Sequence, residues 1–157
     1  MSDAENDYGV TQAALDRYAA AFNESDILAR FDARIEFPDL STVCAIIDEP
    51  GDGLRGGMGN RRVFNGGILA AMYDLVIGCA AAIVDPSRRA ATVQLSMNFE
   101  RPVVGDLLCA TATVDRAGKK LVFASAHIVD DADRICSHAQ GVVRLGSTSW
   151  EGDSPAG

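Results

Sequence analysis

The sequence predicts an α+β domain in which one long helix packs against an antiparallel sheet. Residues 64–84 (FNGGILAAMYDLVIGCAAAIV) form an apolar run that a single charge, Asp74, interrupts. The segment TVQLSMNFE then alternates apolar and polar residues, which is typical of a half-buried strand. Three further strand-like segments follow, and the short turns DRAGK and DDAD separate them. Because short turns join antiparallel neighbours, we expect a meander folded against the long helix.

The N-terminal part of the chain predicts a smaller set of elements. Residues 10–22 (VTQAALDRYAAAF) place apolar side chains at helical spacing, and ESDILARF is compatible with one more turn. Residues 32–48 predict two short strands around a Pro-Asp turn, and a glycine-rich loop runs from Pro50 to Asn60. We expect one domain over residues 10–145, a flexible N-terminus at 1–9 and a flexible tail at 146–157.

Composition excludes several classes of function. The 157-residue chain has a net charge of -8, which disfavours binding to nucleic acid or to an anionic membrane. Its acidic start, MSDAENDYGV, is unlike a secretory leader, so we expect a cytoplasmic protein. The cysteines are widely spaced and form no CxxC motif, so we expect free buried thiols and neither a zinc site nor a disulfide framework. They are Cys44, Cys79, Cys109 and Cys136. We also expect no cofactor.

Two familiar patterns do not fit their usual context. The segment GDGLRG matches the dinucleotide-binding pattern G-x-G-x-x-G, but the residues after it, GMGNRR, cannot easily open a phosphate-binding helix. The run at residues 66–84 approaches the length of a membrane span, yet it contains Asp74 and Gly78 and lacks basic or aromatic flanks. We therefore predict a loop in the first case and a buried helix in the second.

The start of the long helix is the first candidate site. Asparagine is among the best N-cap residues, so Asn65 can begin the helix and leave the amides of Gly66 and Gly67 unpaired. Those amides lie at the positive end of the helix dipole, and glycine lets another group approach the backbone closely. Both properties suit the stabilisation of an oxyanion.

Asp74 is the second candidate. It shares a helix face with small residues, which would leave a groove for a ligand or a second chain; they are Ala70, Ala71, Gly78 and Ala81. Asp74 lies eight residues beyond Gly66, about 12 Å along a helix axis, so one carbonyl group cannot contact both. If the two act together, a two-fold axis must bring Asp74 of one chain to Gly66 of another. The alternative is a buried carboxylate that nearby donors satisfy and that has no chemical role.

Two segments together resemble a known family. NGGILAAMYDLVIGCAAA followed by TVQLSMNFERPVVGDLL is similar to the hot-dog fold acyl-CoA thioesterases of the phenylacetic-acid-pathway (PaaI-like) type. That family has His-Gly-Gly, an acid eight residues after the first glycine, then a Thr-Val strand ending in Phe-x-Arg-Pro and Gly-Asp. The resemblance covers about residues 30–145. It implies a hot-dog fold, a long central helix wrapped by an antiparallel sheet. It also implies homodimers, often paired as homotetramers, that hydrolyse acyl-CoA at the dimer interface.

The resemblance assigns a role to individual residues. It implies that the Gly66 amide binds the oxyanion, that Asp74 of the partner subunit is the base or nucleophile, and that the Thr92 hydroxyl holds the attacking water or the carboxylate. Asn65 stands where the family usually has histidine; it can cap the helix and donate a hydrogen bond but cannot exchange a proton near neutral pH. Asn65 and Gly67 are expected to bind substrate. Asn60, one residue from a polar position used by some members, is assigned to the same group.

Two other functions are compatible with these residues. The first is a hot-dog module that binds acyl-CoA or dimerises without catalysis, which Asn65 favours. The second is a hydratase or dehydratase of the same fold. Such sites commonly pair an acid with a catalytic histidine, and neither His127 nor His138 falls at the start of the long helix.

Overall fold

A six-stranded antiparallel sheet packs around one central helix in the computed structural model, which describes residues 4–59 and 61–151. The helices are α1 (Gln12–Asn23), α2 (Asp26–Phe31) and α3 (Gly66–Ala80), and single 3-10 turns cover Asp52–Leu54 and Ala81–Ile83. The strands are β1 (Arg34–Asp39), β2 (Thr42–Ile47), β3 (Arg88–Phe99), β4 (Leu108–Ala117), β5 (Leu121–Val129) and β6 (Ile135–Ser149). The predicted α+β architecture, a long central helix wrapped by an antiparallel sheet, is confirmed.

Side-chain hydrogen bonds hold α1 at both of its ends. The Thr11 hydroxyl accepts from the Ala14 amide at 3.3 Å and caps the first turn. At the other end, Asn23 accepts from the Ile35 amide at 2.7 Å and donates to the Ile35 carbonyl at 3.0 Å. The Asn23 side chain thus bonds to both backbone groups of Ile35, as a neighbouring strand would, and it ties the end of α1 to β1.

The order of the strands differs from the predicted meander. The sheet runs β1-β2-β4-β5-β6-β3, so β3 lies beside β6 at one edge and not beside β4. The connection from β3 to β4, residues 100–107, is longer than a hairpin turn and contains Pro102 and Gly105. Gly105 adopts φ +127°, a conformation that favours glycine. Since a tight turn is absent, β4 does not pair with β3, and β6 and β5 lie between the two strands.

An irregularity in β3 changes which side chains face the helix. The register with β6 shifts between Thr92 and Gln94, which leaves Val93 in a bulge with 57% of its surface exposed. Before the bulge Thr92 lies on the helix side, and after it Leu95 and Met97 do. The prediction that Val93 shares the buried face with Leu95 was therefore wrong, because it assumed an uninterrupted alternation.

Most of α3 is buried against the sheet. Residues Gly66–Ile83 are long and apolar enough to cross a membrane, but 56% of the segment is buried inside the chain. Such burial is the property of a core helix, as predicted for this segment. Helix α3 contacts β2, β3, β4, β5 and β6, and its buried side chains are Leu69, Met72, Tyr73, Val76, Ile77, Cys79 and Ala80.

The domain extends beyond the limits of 10–145 that the sequence indicated. Strand β6 continues to Ser149, and the Trp150 indole donates to the Pro86 carbonyl at 2.6 Å. On the N-terminal side, Asn6 donates to the carbonyls of Leu40 and Ile83 at 3.0 and 2.9 Å. The tail expected at 146–157 thus begins inside a strand, and its last part, residues 152–157, lies outside the described residues.

Gly141 in β6 lies close against α3 and against β3. A Cβ atom there would lie 2.8 Å from the Ile77 side chain and 2.9 Å from the Gln94 carbonyl oxygen. Only a residue without a side chain fits between the helix and strand β3. This contact sets how deeply α3 sits in the sheet.

Gly141→Ala is expected to lower the free energy of unfolding by about 1–3 kcal/mol, because the added methyl group overpacks the helix–sheet interface. Gly51→Ala is the matched control, since a Cβ at Gly51 meets nothing within 4 Å. Chemical denaturation of both variants checks the prediction. Equal stability of the two variants would contradict it.

Candidate active site

Asn65 uses both ends of its side-chain amide at the start of α3. Its oxygen accepts from the Gly67 amide at 2.8 Å, and its nitrogen donates to the Gly56 carbonyl at 3.0 Å. The first bond caps the helix, while the second ties the helix start to the loop that precedes it. Asn65 therefore holds the local structure with both of its hydrogen-bonding groups.

The cap leaves one amide of the helix start open. The Asn65 carbonyl accepts from Ile68 and Leu69, and its side chain occupies the Gly67 amide. The Gly66 amide has no acceptor among the residues that the structure describes, and Gly66 is exposed. The expectation that both glycine amides are unpaired is thus corrected, because the cap itself satisfies Gly67. A single free N–H remains at the positive end of the helix.

A cavity of about 300 Å³ opens beside Gly66. Its lining is mostly apolar and comes from the helix start and from the segment after β3; the residues are Val63, Phe64, Gly66, Leu69, Phe99, Glu100, Arg101, Pro102 and Val103. The Phe99 ring lies 3.9 Å from where a Cβ of Gly66 would be. Gly66 therefore lies beside a space that a ligand can enter.

Asp74 lies on the one face of α3 that the sheet leaves open. It is exposed, while Ala70, Ala71 and Gly78 on the same face are half-buried. Within the described part of the chain, Asp74 has no hydrogen bond or ion pair. Asp74 is exposed, so the alternative of a buried carboxylate that nearby donors satisfy does not describe the single chain. A second chain would have to cover this face to bury the acid.

Thr92 lies against the same helix face, one turn beyond Asp74. Its hydroxyl oxygen is 3.4 Å from where a Cβ of Gly78 would be. The bulge after Thr92 turns its side chain toward the helix, and the absence of a side chain at Gly78 makes room for it. The structure thus brings Thr92 to the Asp74 face, although their spacing in sequence gives no direct sign of this.

The thiol nearest to Asp74 in the sequence is not available as a nucleophile. Cys79 points into the core, and burial raises its pKa to about 12, with a smaller contribution from the Asp74 charge. The thiol is therefore protonated at neutral pH. The polar groups that α3 leaves unpaired in the described chain include the Asp74 carboxylate and the Gly66 amide.

Sequence reasoning did not single out Arg55 or Phe99. The Arg55 guanidinium donates to the carbonyls of Arg62 and Gly105 and lies 4.3 Å from the centre of the Phe64 ring. It joins the loop segments that precede α3 to the connection between β3 and β4. The signal available in the sequence was Gly105 of the Gly-Asp pair, because glycine in a loop is typical of a turn. In the structure Gly105 has a positive φ, and its carbonyl accepts from Arg55. Asn60, an expected substrate-binding residue, lies outside the described residues.

The two histidines lie on the other side of the sheet. His127 of β5 pairs directly with His138 of β6, and both belong to the rows of side chains that alternate with the buried ones. His138 contacts the Glu100 carboxylate at 2.8 Å and the Asn98 amide nitrogen at 3.2 Å. Neither histidine faces α3 in its own chain, so the chain itself places no imidazole beside Asp74 or Gly66.

Asn65→Ala is expected to lower the free energy of unfolding by about 1–2 kcal/mol, since the Gly67 amide loses its acceptor. Asn65→Asp keeps an acceptor at the cap and is expected to stay within about 0.5 kcal/mol of the wild type, helped by the dipole. Denaturant unfolding of the two variants measures the difference. Equal losses would assign the stabilisation to the bond with Gly56 and not to the cap.

Comparisons with known proteins bear on the fold and on the family. Residues 62–137 match the model of the thioesterase superfamily. A Pseudomonas aeruginosa protein named as an esterase is 34% identical over 83 residues, which cover 52% of this chain and 61% of that protein. The aligned part thus spans less than two thirds of that relative.

Solved structures match over most of the chain. The Escherichia coli PaaI protein from the phenylacetic acid degradation operon superposes with a TM-score of 0.75 at 18% identity, covering 88% of this chain and 97% of that one. A thioesterase family protein from Silicibacter pomeroyi gives a TM-score of 0.72 at 20% identity, covering 84% and 97% of the two chains. At these identities the likeness establishes the hot-dog fold. Residues 62–137 carry the pattern of the thioesterase superfamily on that fold, and the predicted resemblance to PaaI-like hot-dog thioesterases is confirmed.

Proposed function

We propose that this protein is an acyl-CoA thioesterase whose active site is shared by two copies of the chain. The observation that carries the proposal is the unpaired Gly66 amide, which lies at an exposed helix start beside an apolar cavity. An unpaired donor fixed by a cap is suited to bind the oxygen of a thioester carbonyl. The thioesterase-superfamily match over residues 62–137 supports the same reaction class.

The first part of the mechanism is stabilisation of the oxyanion. When a nucleophile attacks the thioester carbon, negative charge develops on the carbonyl oxygen. The Gly66 amide and the positive end of α3 then stabilise that oxygen without having to reorient. The cap at Gly67 holds the backbone in this geometry in advance.

The second part of the mechanism is activation of water by Asp74 of the partner subunit. Its carboxylate accepts a proton from the attacking water, and the tetrahedral intermediate then expels the CoA thiolate and leaves the free acid. Attack by the carboxylate itself is the variant of this step, with water hydrolysing the resulting anhydride. The Thr92 hydroxyl, held against Gly78, orients the water or the carboxylate.

The need for two chains follows from the rigid geometry of α3. Gly66 and Asp74 are about 12 Å apart along one helix, so a single chain cannot bring both to one carbonyl. The exposed face with Asp74, the edge strand β3 and its exposed Val93 and Phe99 suit a two-fold contact that makes two equal sites. Pairing of dimers into tetramers and a cytoplasmic location stay predictions.

Asn65 supports one rival function. Because the Asn65 side-chain amide cannot exchange a proton near neutral pH, the helix start supplies no side-chain acid or base, and two of the hydrogen-bonding positions of this amide are taken by structural bonds. A module that binds an acyl thioester without hydrolysing it would have the same arrangement. The two functions differ in whether bound acyl-CoA turns over, which the following variants measure.

Asp74→Asn is expected to lower kcat for acyl-CoA hydrolysis by about 10²–10⁴-fold, because the general base is lost while the shape is kept. Glu49→Gln is the charge-matched control at an exposed acid outside the site. Release of free CoA thiol, followed with a chromogenic thiol reagent, measures the rate. Unchanged turnover in Asp74→Asn would refute the catalytic role, and binding of acyl-CoA without turnover in the wild type would favour the rival.

Mixed dimers test whether the site is shared. A dimer that combines one Gly66→Ala chain with one Asp74→Asn chain, purified through two different tags, contains one site with both intact residues. It is expected to recover about half of the wild-type activity. If each site lay within one chain, both sites would be damaged and no activity would return.

Gly66→Ala is expected to lower kcat/KM by about 10²-fold, because the methyl group stands where the thioester must approach the amide. The nearest atom to the added Cβ, at 3.9 Å, is in the Phe99 ring, so the fold should tolerate the change. Gly67→Ala is the comparison, since its Cβ would lie 3.1 Å from the Asn65 side-chain oxygen and disturb the cap. We expect lost activity with kept stability in the first variant and lost stability in the second. Equal effects on both quantities would contradict the assignment.

A further inference from the structure

Two of the four cysteines lie on the outer face of the sheet. Cys44 of β2 and Cys109 of β4 are half-buried, and they alternate along their strands with the buried residues that face α3. The expectation of buried thiols is therefore wrong for these two, while Cys79 and Cys136 are buried as predicted. This outer face is separate from the helix face with Asp74 and from the edge strand β3.

The two half-buried thiols are neighbours across the pairing of β2 with β4. Cys44 lies directly opposite Thr111, and Cys109 precedes Thr111 by two residues on the same face. The Thr111 hydroxyl oxygen lies 3.7 Å from the Cys44 sulfur and 3.8 Å from the Cys109 sulfur. One hydroxyl group thus contacts both sulfur atoms and holds the two thiols side by side.

The surroundings give the two thiols different acidities. A hydrogen bond from the Cys109 thiol lowers the pKa of Cys44, and the Thr111 hydroxyl lowers it further. Burial and the charges of Glu36 and Asp39 oppose this shift without cancelling it. The same hydrogen bond, together with burial, raises the pKa of Cys109. Cys44 is therefore the sulfur with thiolate character, and Cys109 keeps its proton.

The charges around Cys44 favour an uncharged oxidant. Glu36 of β1 lies directly opposite Cys44, and its carboxylate is paired with Arg34 at 2.5 Å. On the other side, His127 of β5 lies opposite Thr111. The chain has a net charge of -8, so it repels anionic oxidants such as glutathione disulfide. Hydrogen peroxide has no charge and is small enough to reach a half-buried sulfur.

We propose that Cys44 and Cys109 form a peroxide-reactive dithiol, in which Cys44 attacks the peroxide and Cys109 converts the product into a disulfide. The Cys44 thiolate attacks one peroxide oxygen, the O–O bond breaks, and hydroxide leaves and takes up a proton, which gives a sulfenic acid at Cys44. The Cys109 sulfur then attacks the Cys44 sulfur, the S–O bond breaks, and the hydroxyl group leaves as water with the Cys109 proton. The two thiols are thus oxidised to a disulfide that links β2 to β4, and the peroxide is reduced to water.

The position of the two cysteines predicts that this disulfide is readily reduced. Diagonal neighbours on antiparallel strands have Cα atoms about 7–8 Å apart, whereas a disulfide prefers about 5.5–6 Å. Closing the bond must therefore pull β2 and β4 toward each other, and strain of this kind makes a disulfide easier to reduce. We expect a reversible modification and not a permanent cross-link.

Oxidation of the purified chain by a slight excess of hydrogen peroxide tests the proposal. The wild type is expected to lose two of its four thiols, and a peptide map is expected to show a Cys44–Cys109 link that dithiothreitol reverses. In Cys109→Ser the reaction should stop at a Cys44 sulfenic acid, which dimedone traps. Cys44→Ser is expected to react at least about tenfold more slowly. Cys136→Ala, which removes a buried thiol of β6, is the matched control and should react like the wild type.

The other outcomes overturn the proposal. A Cys44 sulfenic acid that persists without a link in the wild type, or oxidation of Cys79 or Cys136 before Cys44, would show that the two thiols do not act as a pair. The same holds if the wild type loses no thiol, or if Cys44→Ser reacts as fast as the wild type. The wild-type peptide map needs no substitution, so this result does not depend on how well a variant folds. It also needs no acyl-CoA turnover and is independent of the proposed thioesterase function.

Discussion

The pair of hydrogen bonds made by Asn65 determines what the helix start can do. By accepting from Gly67, the side chain removes one donor of the first turn and leaves the neighbouring Gly66 donor open. By donating to Gly56, it also ties the preceding loop to the helix start. Without this cap, the amides of both Gly66 and Gly67 would be unpaired, whereas Ile68 and Leu69 would still donate to the Asn65 carbonyl. Because the cap occupies the Gly67 amide, the Gly66 amide is the one left unpaired at the described helix start.

The rigidity of α3 then decides how many chains a site requires. A helix cannot bend an acid at Asp74 back to an amide at Gly66, and its packing against the sheet prevents any such movement. Gly141 allows that packing, because the helix side chain of Ile77 and the carbonyl of Gln94 occupy the space that a Cβ would take. The contact at Gly141, far in sequence from the candidate site, thus helps to hold α3, which carries both Gly66 and Asp74, against the sheet.

The sequence predicted the elements better than it predicted their order. The apolar run with an asparagine before it marked α3 and its cap, because periodicity and capping are local properties. The position of β3 beside β6 could not be predicted, since residues 100–107 give no local sign of crossing the sheet. The bulge after Thr92 was missed for a related reason: it depends on the register with β6 and not on the alternation within β3.

The same difference between local features and features that depend on the fold applies to the candidate site. Gly66 and Asp74 were found from sequence because a cap, a dipole and a charge in an apolar run have local signatures. That the Gly67 amide is not free could not be predicted, because this depends on where the Asn65 side-chain oxygen lies in the folded cap. Phe99 was read as one more apolar residue of a half-buried strand. Its ring turned out to border Gly66, because the edge strand runs alongside α3 and ends at the helix start.

The open face of α3 has to satisfy two opposing requirements. Small residues at Ala70, Ala71 and Gly78 let another backbone or a narrow ligand come close, yet they bury little apolar area within their own chain. The helix compensates on its other side, where Met72, Val76 and other side chains are fully packed. Stability thus comes from the face toward the sheet, and the face with Asp74 is left free for chemistry. A second chain on that face would add the missing burial and would also desolvate the acid, so that assembly and activation of Asp74 would occur in one step.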